Sequence, residues 1–277
     1  MILEKIIAVI LPVYKKDQVV YINRAIESIL LQTYRNYHIF IGVDGQVGDD
    51  IKNYLNLCGE QKRIKIVWFD ENRGLACVLN DLLDICLKEG YEYIARMDAD
   101  DIALPNRFEK QVEYLIAHPE IDVVGGAIRE IDENGNSRNK TIVYPEGPTE
   151  CKAFFSKRNP HAHPAVLFRK SFFDKLKGKK YRPEYRQNQD TMLWYDGMMA
   201  GTQHANIPDV VLNFRMTDAM FKKRRNGWSF AKKQFVDRLM INKGLGYGWM
   251  ADLYGFAMFC LLVSPVWVKK IAYRILR

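Results

Sequence analysis

Residues 91–107 read YEYIARMDADDIALPNR, and this stretch decides the fold. Tyr91, Tyr93, Ile94, Ala95 and Met97 make a short apolar and aromatic run with the pattern of a buried strand. The run ends in three carboxylates, Asp98, Asp100 and Asp101. Pro105 then opens an amphipathic helix with Phe108, Val112, Leu115 and Ile116 as its stripe, and Pro119 stops it. Carboxylates crowded at a strand end repel one another. A hard divalent cation, Mg2+ or Mn2+, relieves that repulsion, taking a few oxygen ligands and leaving room for substrate phosphates. Asp-x-Asp also occurs on solvated loops; its place at the end of a buried strand is what points to a metal here.

Upstream, residues 5–13 are a near-continuous Ile/Val/Leu run closed by Pro12-Val13-Tyr14, which predicts a buried strand. Asp17 is placed to cap a helix whose stripe is Ile22, Ile26, Ile29 and Leu30. A second strand over 38–43 ends at Asp44-Gly45, and a third over 64–69 ends at Asp70-Glu71-Asn72. Arg73-Gly74 leads into a helix with Leu75, Leu79, Leu82, Leu83 and Cys86 on one face, closed by Gly90. Strands and helices alternating at this spacing predict a parallel sheet with crossover helices, and ligands in such sheets sit beyond the carboxyl ends of the strands. Asp44, Asp70, Asn72 and Asp98 should therefore converge on one edge.

No G-x-G-x-x-G follows the first strand and no G-x-x-x-x-G-K-[ST] exists, which argues against a dinucleotide cofactor and a P-loop. A nucleotide held by strand-end carboxylates and a metal remains. Asp44 could hold a base or ribose, or could be a turn aspartate before Gly45.

The 277 residues suffice for one large core, or one core with a small appendage. Net charge is +8, unevenly placed: residues 215–277 hold 13 Lys and Arg against 3 Asp and Glu. The five cysteines (58, 77, 86, 151 and 260) are scattered, with no C-x-x-C, which suits a reducing compartment and neither a disulfide framework nor a zinc site. No signal peptide is expected, because Glu4 and Lys5 interrupt the early apolar residues.

Downstream, residues 123–128 predict a strand, Asp132–Asn136 a polar turn, and 165–168 a further strand after Asn159-Pro-His-Ala-His-Pro164. His161 and His163 in that segment suit a binding loop better than a metal pair, given two prolines and no further Cys or His nearby. Asp190 precedes an apolar helix, where an aspartate is ordinarily an N-cap. Four cations lie in 221–225, and 228–239 predicts a basic amphipathic helix with Trp228, Ala231, Phe235 and Leu239 on one face. Residues 253–268 are uncharged and followed by Lys269, Lys270, Arg274 and Arg277. That run is short of the roughly 20 residues that span a bilayer. With Trp267 and Tyr273 beside lysines, it reads as lying in or dipping into a membrane surface rather than binding nucleic acid, the alternative being a helix packed on the core.

Taken together, the chain resembles the family 2 inverting glycosyltransferases of the GT-A fold, especially bacterial enzymes that build O-antigen or capsule repeat units. The matching pieces are Val9-Ile-Leu-Pro-Val-Tyr14, Asp44, Asn72-Arg-Gly74 with Asn80, Asp98-Ala-Asp100 with Pro105-x-Arg107, Asn159-Pro-x-x-His-Pro164, Asp190 and Phe214-Arg215. The resemblance implies a Rossmann-like, mainly parallel central sheet flanked by helices over residues 1–217, with 218–277 a helical membrane-associating region. It implies a nucleotide-sugar donor, most often a UDP-sugar, bound at Pro12, Tyr14, Asp44, Asn72, Gly74, Asn80, Asp98, Ala99 and Arg107. Asp44 would sit by uracil or ribose and Asp98 by ribose or sugar. Asp100, with Asp98, would ligate Mn2+ or Mg2+ at the diphosphate.

By the same likeness Asp190 would be the general base, at the second position of the family's Glu-Asp pair; Gln189 stands where the glutamate usually is. His163, Gln189 and Arg215 would contact acceptor or diphosphate, and Lys222, Lys223, Arg224 and Arg225 would help hold a diphosphate. The Gln-x-x-Arg-Trp motif of processive members is absent, so a single sugar is expected per encounter. The acceptor would be a polyprenyl-diphosphate-linked glycan at the cytoplasmic face of the inner membrane, with no nucleic-acid partner. Two other readings are a haloacid-dehalogenase-type phosphatase and a non-catalytic, membrane-bound glycan or sugar-nucleotide binding module. Against the first, Ile102 follows the Asp-x-Asp on a fourth strand, where that family has Thr or Val on its first.

Overall fold

A computed structural model describes residues 5–217, 228–264 and 268. Its centre is one nine-stranded sheet in the order β3-β2-β1-β4-β8-β6-β9-β5, with β7 paired to β6. β1 (Ile7–Tyr14), β2 (Tyr37–Asp44), β3 (Ile64–Phe69) and β4 (Tyr93–Arg96) are mutually parallel. Their carboxyl ends therefore share one edge, as the alternation of strands and helices predicts. β8 (Leu167–Arg169) runs against β4 and β6 (Val123–Ile131), and β9 (His204–Arg215) runs parallel to β6. β5 (Ile102–Ala103) and β7 (Ser137–Ile142) are short antiparallel additions. Six of the nine strands thus point one way.

β1 is buried on both faces because residues 7–11 are all apolar, with none of them more than marginally exposed. On one side of the sheet it packs against α1 (Val19–Leu30) and α4 (Arg107–Ala117); on the other, α3 (Leu75–Lys88) supplies Val78, Leu79, Leu82 and Cys86. α2 (Asp49–Gly59) buries only Ile51, Leu55 and Cys58, spaced at four and three residues. Pro12 sits in a central strand, where a proline normally removes a ladder bond. Here it costs none on the β4 side. Ile10 accepts Met97 N–H at 3.1 Å, so by strand alternation Pro12 faces the same way, and the β1–β4 pairing has already ended at Ile10–Arg96. The sheet opens at that point, and the opening is the floor of the site.

Two local expectations give way to competing hydrogen bonds. Asp17 does not cap α1: its Oδ2 accepts Tyr14 N–H at 2.8 Å, and Gln18 is the cap residue. Ile116 is exposed, whereas Arg107 and Gln111 take the buried face of α4, because their side chains satisfy backbone carbonyls on neighbouring strands. Asp70, expected to converge on the strand-end edge, is exposed and does not line the cleft there.

The C-terminal part is a helical hairpin, α8 (Trp228–Leu245) and α9 (Trp249–Val263), which follows α5 (Pro148–Phe155), α6 (Lys170–Lys175) and α7 (Gln189–Met199) in the chain, with α8 packed against α7. Arg238 Nη1 donates to Phe155 O, and Tyr247 OH to Lys152 O, so the hairpin is fastened to the body. Ala231, Asp237, Ile241 and Asn242 are the buried positions of α8; Trp228 is 65% exposed and meets only Phe259 edge-on among the described aromatic contacts. The uncharged run does not continue as one helix, because α9 stops at Val263 with Ser264 extended, immediately before Pro265. No described helix is long and apolar enough to cross a membrane. Lys222, Lys223, Arg224, Arg225, Trp267 and Tyr273 lie outside the described residues.

Candidate active site

The ends of β1, β2 and β4, the turn after β3 and the start of α7 enclose an open cleft of about 510 Å³. Pro12, Tyr14, Asp44, Asn72, Gly74, Asp98, Ala99, Asp100, Gln189 and Asp190 all line it. Residues separated by almost 180 positions in sequence are thereby gathered around one space. Asn80, Arg107, His163 and Arg215 do not line it.

Asp44 is 5% exposed, and its two carboxylate oxygens accept Arg73 N–H at 2.8 Å and Gly74 N–H at 2.9 Å. Asn72 Nδ2 donates to Asp44 O at 3.0 Å, so this aspartate fastens the turn that follows β3 to the end of β2. It is a turn aspartate for a turn about 30 residues away, and it still faces the cleft. Gly74 suits that turn because its φ is +94°; a Cβ there would meet only the movable end of the Arg186 side chain, Nη1 at 2.9 Å.

Asp98, Asp100 and Asp101 offer carboxylate oxygens that lie within 4.8 Å of one another. Asp98 Oδ1 meets Arg96 Nη1 at 2.5 Å. Burial, and then the Asp98 charge, push the Asp100 carboxyl up to about 6. Burial and the same two neighbours hold Asp101 well above the usual carboxylate range. Asp101 Oδ1 accepts Arg215 N–H at 2.8 Å, whereas its Oδ2 is buried without a hydrogen-bond partner. An all-oxygen, mutually repelling set fits a hard divalent cation, which Asp100 and Asp98 would hold from the cleft side.

Asp190 is in the first turn of α7, but Asn188 is the cap residue, in the left-handed region with φ 63°. The Asp190 carboxylate is instead held by Asn159, whose Nδ2 donates to Oδ2 at 2.9 Å. Gln189 donates to Arg186 O at 3.3 Å, a local contact within the same loop.

The candidates off the cleft are struts behind it. Asn80 clasps the Tyr181 backbone, accepting its N–H at 2.9 Å and donating to its carbonyl at 2.8 Å. Arg107 is wholly buried, donates to Arg96 O at 2.8 Å and Val166 O at 3.2 Å, and is lowered to about 9 by that burial. Arg215 is also wholly buried; Nε donates to Asp100 O at 2.7 Å, and Nη1 donates to Asp132 O and Glu133 O at 2.9 and 2.8 Å. It shapes the acidic turn from the back. His163 Nε2 and the Tyr181 hydroxyl are 2.7 Å apart, and His161 is bonded to Asn206 and His204; neither histidine lines the cleft. Burial holds His161 at about 4 and His204 well below its ordinary value.

The cleft also contains groups that the sequence reading left unassigned: Arg73, Arg96, Tyr185, Arg186 and Phe230. Arg186 is the signal most open to detection, a cation four residues before Asp190. Tyr185 links the cleft to the hairpin, its hydroxyl donating to Asp237 Oδ1 at 3.2 Å with Lys233 Nζ 4.2 Å from its ring centre.

Known proteins place this geometry in a family. The family description "Glycosyl transferase family 2" matches residues 8–177. The chain is 34% identical over 227 residues to the amylovoran biosynthesis glycosyltransferase AmsE of Erwinia amylovora, covering 82% of each. It is 29% identical over 249 residues to the O-antigen biosynthesis glycosyltransferase WbnJ of Escherichia coli, covering 86% of this chain and 92% of that one. It is 26% identical over 224 residues to the E. coli UDP-Gal:alpha-D-GlcNAc-diphosphoundecaprenol beta-1,3-galactosyltransferase, covering 81% of this chain and 78% of that one. Among solved structures, S. aureus TarS 1-349 in complex with UDP-GlcNAc superimposes with a TM-score of 0.65 at 13% identity, over 91% of this chain and 70% of that one, a likeness of fold. The chain therefore belongs to glycosyl transferase family 2 and has a GT-A-like α/β fold.

Proposed function

We propose that the protein is a metal-dependent, inverting glycosyltransferase. It moves one sugar from a UDP-sugar to a hydroxyl of a lipid-linked glycan, in the building of a bacterial surface polysaccharide. The observation that carries this reading is the placement of Asp98, Asp100 and Asp190 on one cleft. The names of the relatives support the substrate classes: one uses a UDP-sugar and a diphosphoundecaprenol-linked acceptor, and two serve amylovoran and O-antigen synthesis.

The residue set suits the chemistry. A glycoside hydrolase needs a second carboxyl group to protonate its leaving group. A nucleoside diphosphate leaves unprotonated when its charge is neutralised, and Mn2+ or Mg2+ on Asp100 and Asp98 would supply that neutralisation. One carboxylate then suffices. Asp190, held by Asn159, takes the proton from the acceptor hydroxyl as that oxygen attacks the anomeric carbon. A single in-line displacement inverts the centre, so an α-linked donor gives a β-linkage. Arg186 and Arg73 supply positive charge at the cleft wall, beside the N-terminus of α3.

The hairpin suits a peripheral position at the cytoplasmic face of the inner membrane. Trp228, Trp249, Met250, Leu253 and Phe256 are each more than half exposed, on helices next to a strongly basic tail. The test is donor hydrolysis and transfer across a panel of UDP-sugars with and without Mn2+. Mn2+-dependent release of UDP is expected; a panel without any turnover or binding would overturn the reading.

A further inference from the structure

Arg96 is a cation in the cleft that the reaction as described leaves without a task. It is the last residue of β4, where its N–H donates to Val166 O at 3.1 Å and its carbonyl accepts Arg107 Nη2 at 2.8 Å. Both bonds fix the start of its side chain. That side chain lines the cleft while being only 1% exposed. Nη1 stands in ion-pair contact with Asp98 Oδ1, and both Nη1 and Nε are buried without a hydrogen-bond partner. A buried guanidinium with an idle donor is unfavourable unless something else supplies an acceptor. Asp98, by contrast, has a third of its side chain exposed at the cleft.

We propose that Arg96 and Asp98 form the subsite for hydroxyl groups of the transferred sugar, with Arg96 the residue that distinguishes one sugar from another. The proposal rests on the transferase reading above. A hydroxyl both donates and accepts; a lone carboxylate answers only the first need, and the Arg96–Asp98 pair answers both. The pair is close to neutral, so it has no preference for an anion. A sugar carboxylate would meet Asp98 and Asp100, and a diphosphate would compete with Asp98 for a guanidinium already engaged. Neutral, hydroxyl-bearing sugars are the class that fits.

The test measures binding of UDP, UDP-glucose, UDP-galactose and UDP-N-acetylglucosamine by calorimetry with Mn2+ present. It uses the unsubstituted chain, Arg96→Met and Arg96→Lys, the lysine keeping a cation beside Asp98 should the methionine variant not fold. The expected result is that Kd for the best-bound UDP-sugar, relative to Kd for UDP, rises roughly tenfold in the methionine variant and less in the lysine one. UDP itself should stay within about twofold, since Arg96 touches neither base nor phosphate in this assignment. On the unsubstituted chain, deoxy analogues of that sugar should reveal one hydroxyl whose removal weakens binding, and the same removal should have little effect in Arg96→Met and an intermediate effect in Arg96→Lys. Parallel loss of UDP and UDP-sugar binding would assign Arg96 to the diphosphate, and an unchanged ratio in both variants would make it a packing residue; either overturns the subsite. Failure of the unsubstituted chain to bind UDP with Mn2+ would overturn the transferase reading, and the subsite with it.

Discussion

Asn159 orients Asp190 through both ends of one amide. Its Nδ2 donates to Asp190 Oδ2 at 2.9 Å while its Oδ1 accepts the Thr191 hydroxyl at 3.0 Å. The loop that carries Asn159 and the first turn of α7 are thereby locked together at the cleft. Removing this brace should disturb the geometry of proton transfer more than donor binding. For Asn159→Ala we expect kcat to fall roughly tenfold or more with donor KM nearly unchanged, since small misplacements of a base are costly. Steady-state kinetics against donor concentration check this; a change confined to KM would contradict it.

The acidic turn should be electrostatically frustrated without a cation. Three carboxylates within 4.8 Å repel, and the buried Asp101 has no water to relieve it. Mn2+ should therefore raise Tm by several degrees. Asp100→Asn should raise Tm of the metal-free protein by a few degrees and remove most of the response to Mn2+. A metal-free variant less stable than the parent would show that the cluster is not repulsive.

Arg186 lies across Gly74 at the cleft wall, exposed to solvent and close to the α3 N-terminus. Arg186→Ala should weaken binding of UDP about tenfold at low salt and much less at high salt, as expected of an exposed cation meeting a diphosphate. Titrations of UDP at two ionic strengths read this out. Equal weakening at both would point to a packing role.

The buried imidazoles give a pH dependence of defined sign. His161 is held near 4 and His204 well below its ordinary value, both by burial first. Unfolded histidine titrates near ~6.5, so the unfolded chain binds more protons below that pH. Stability should be fully present above it and decline as pH falls toward about 4, where folded His161 begins to titrate. Asp100, raised to about 6, contributes with the opposite sign, gaining stability on acidification. Asp101, held well above the usual carboxylate range, acts with the same sign as Asp100. Urea melts of the parent and of the double variant Asp100→Asn, Asp101→Asn between those limits, in EDTA, therefore separate imidazoles from carboxyls; a flat profile in the double variant would contradict the burial of neutral imidazoles.

Elements whose pattern is set by their own residues were legible in the sequence. β1 to β4 are continuous apolar runs, and the Asp98–Asp101 turn ends the last of them, so the edge and its acidic cluster could be placed before any coordinates. What escaped depends on partners distant in the chain. α2 shows only three apolar positions among polar ones, and β9 is interrupted by Asn206, Pro208, Asp209 and Asn213, with its register shifting against β6. Arg107, Arg215 and Asn80 read as ligand contacts through the family resemblance, as members of its matching pieces. Their targets prove to be carbonyls and amides of other segments, which no local pattern encodes.

The account depends on Asp190 acting on the same ligand that Asp98 and Asp100 help to hold. The most direct test compares Asp190→Asn with the unsubstituted chain, measuring Mn2+-dependent UDP binding and transfer of sugar to a lipid-linked acceptor. The account predicts UDP affinity within about twofold and transfer reduced roughly 10²- to 10⁴-fold, the range of a lost general base. Transfer at the normal rate by a folded Asp190→Asn would contradict it.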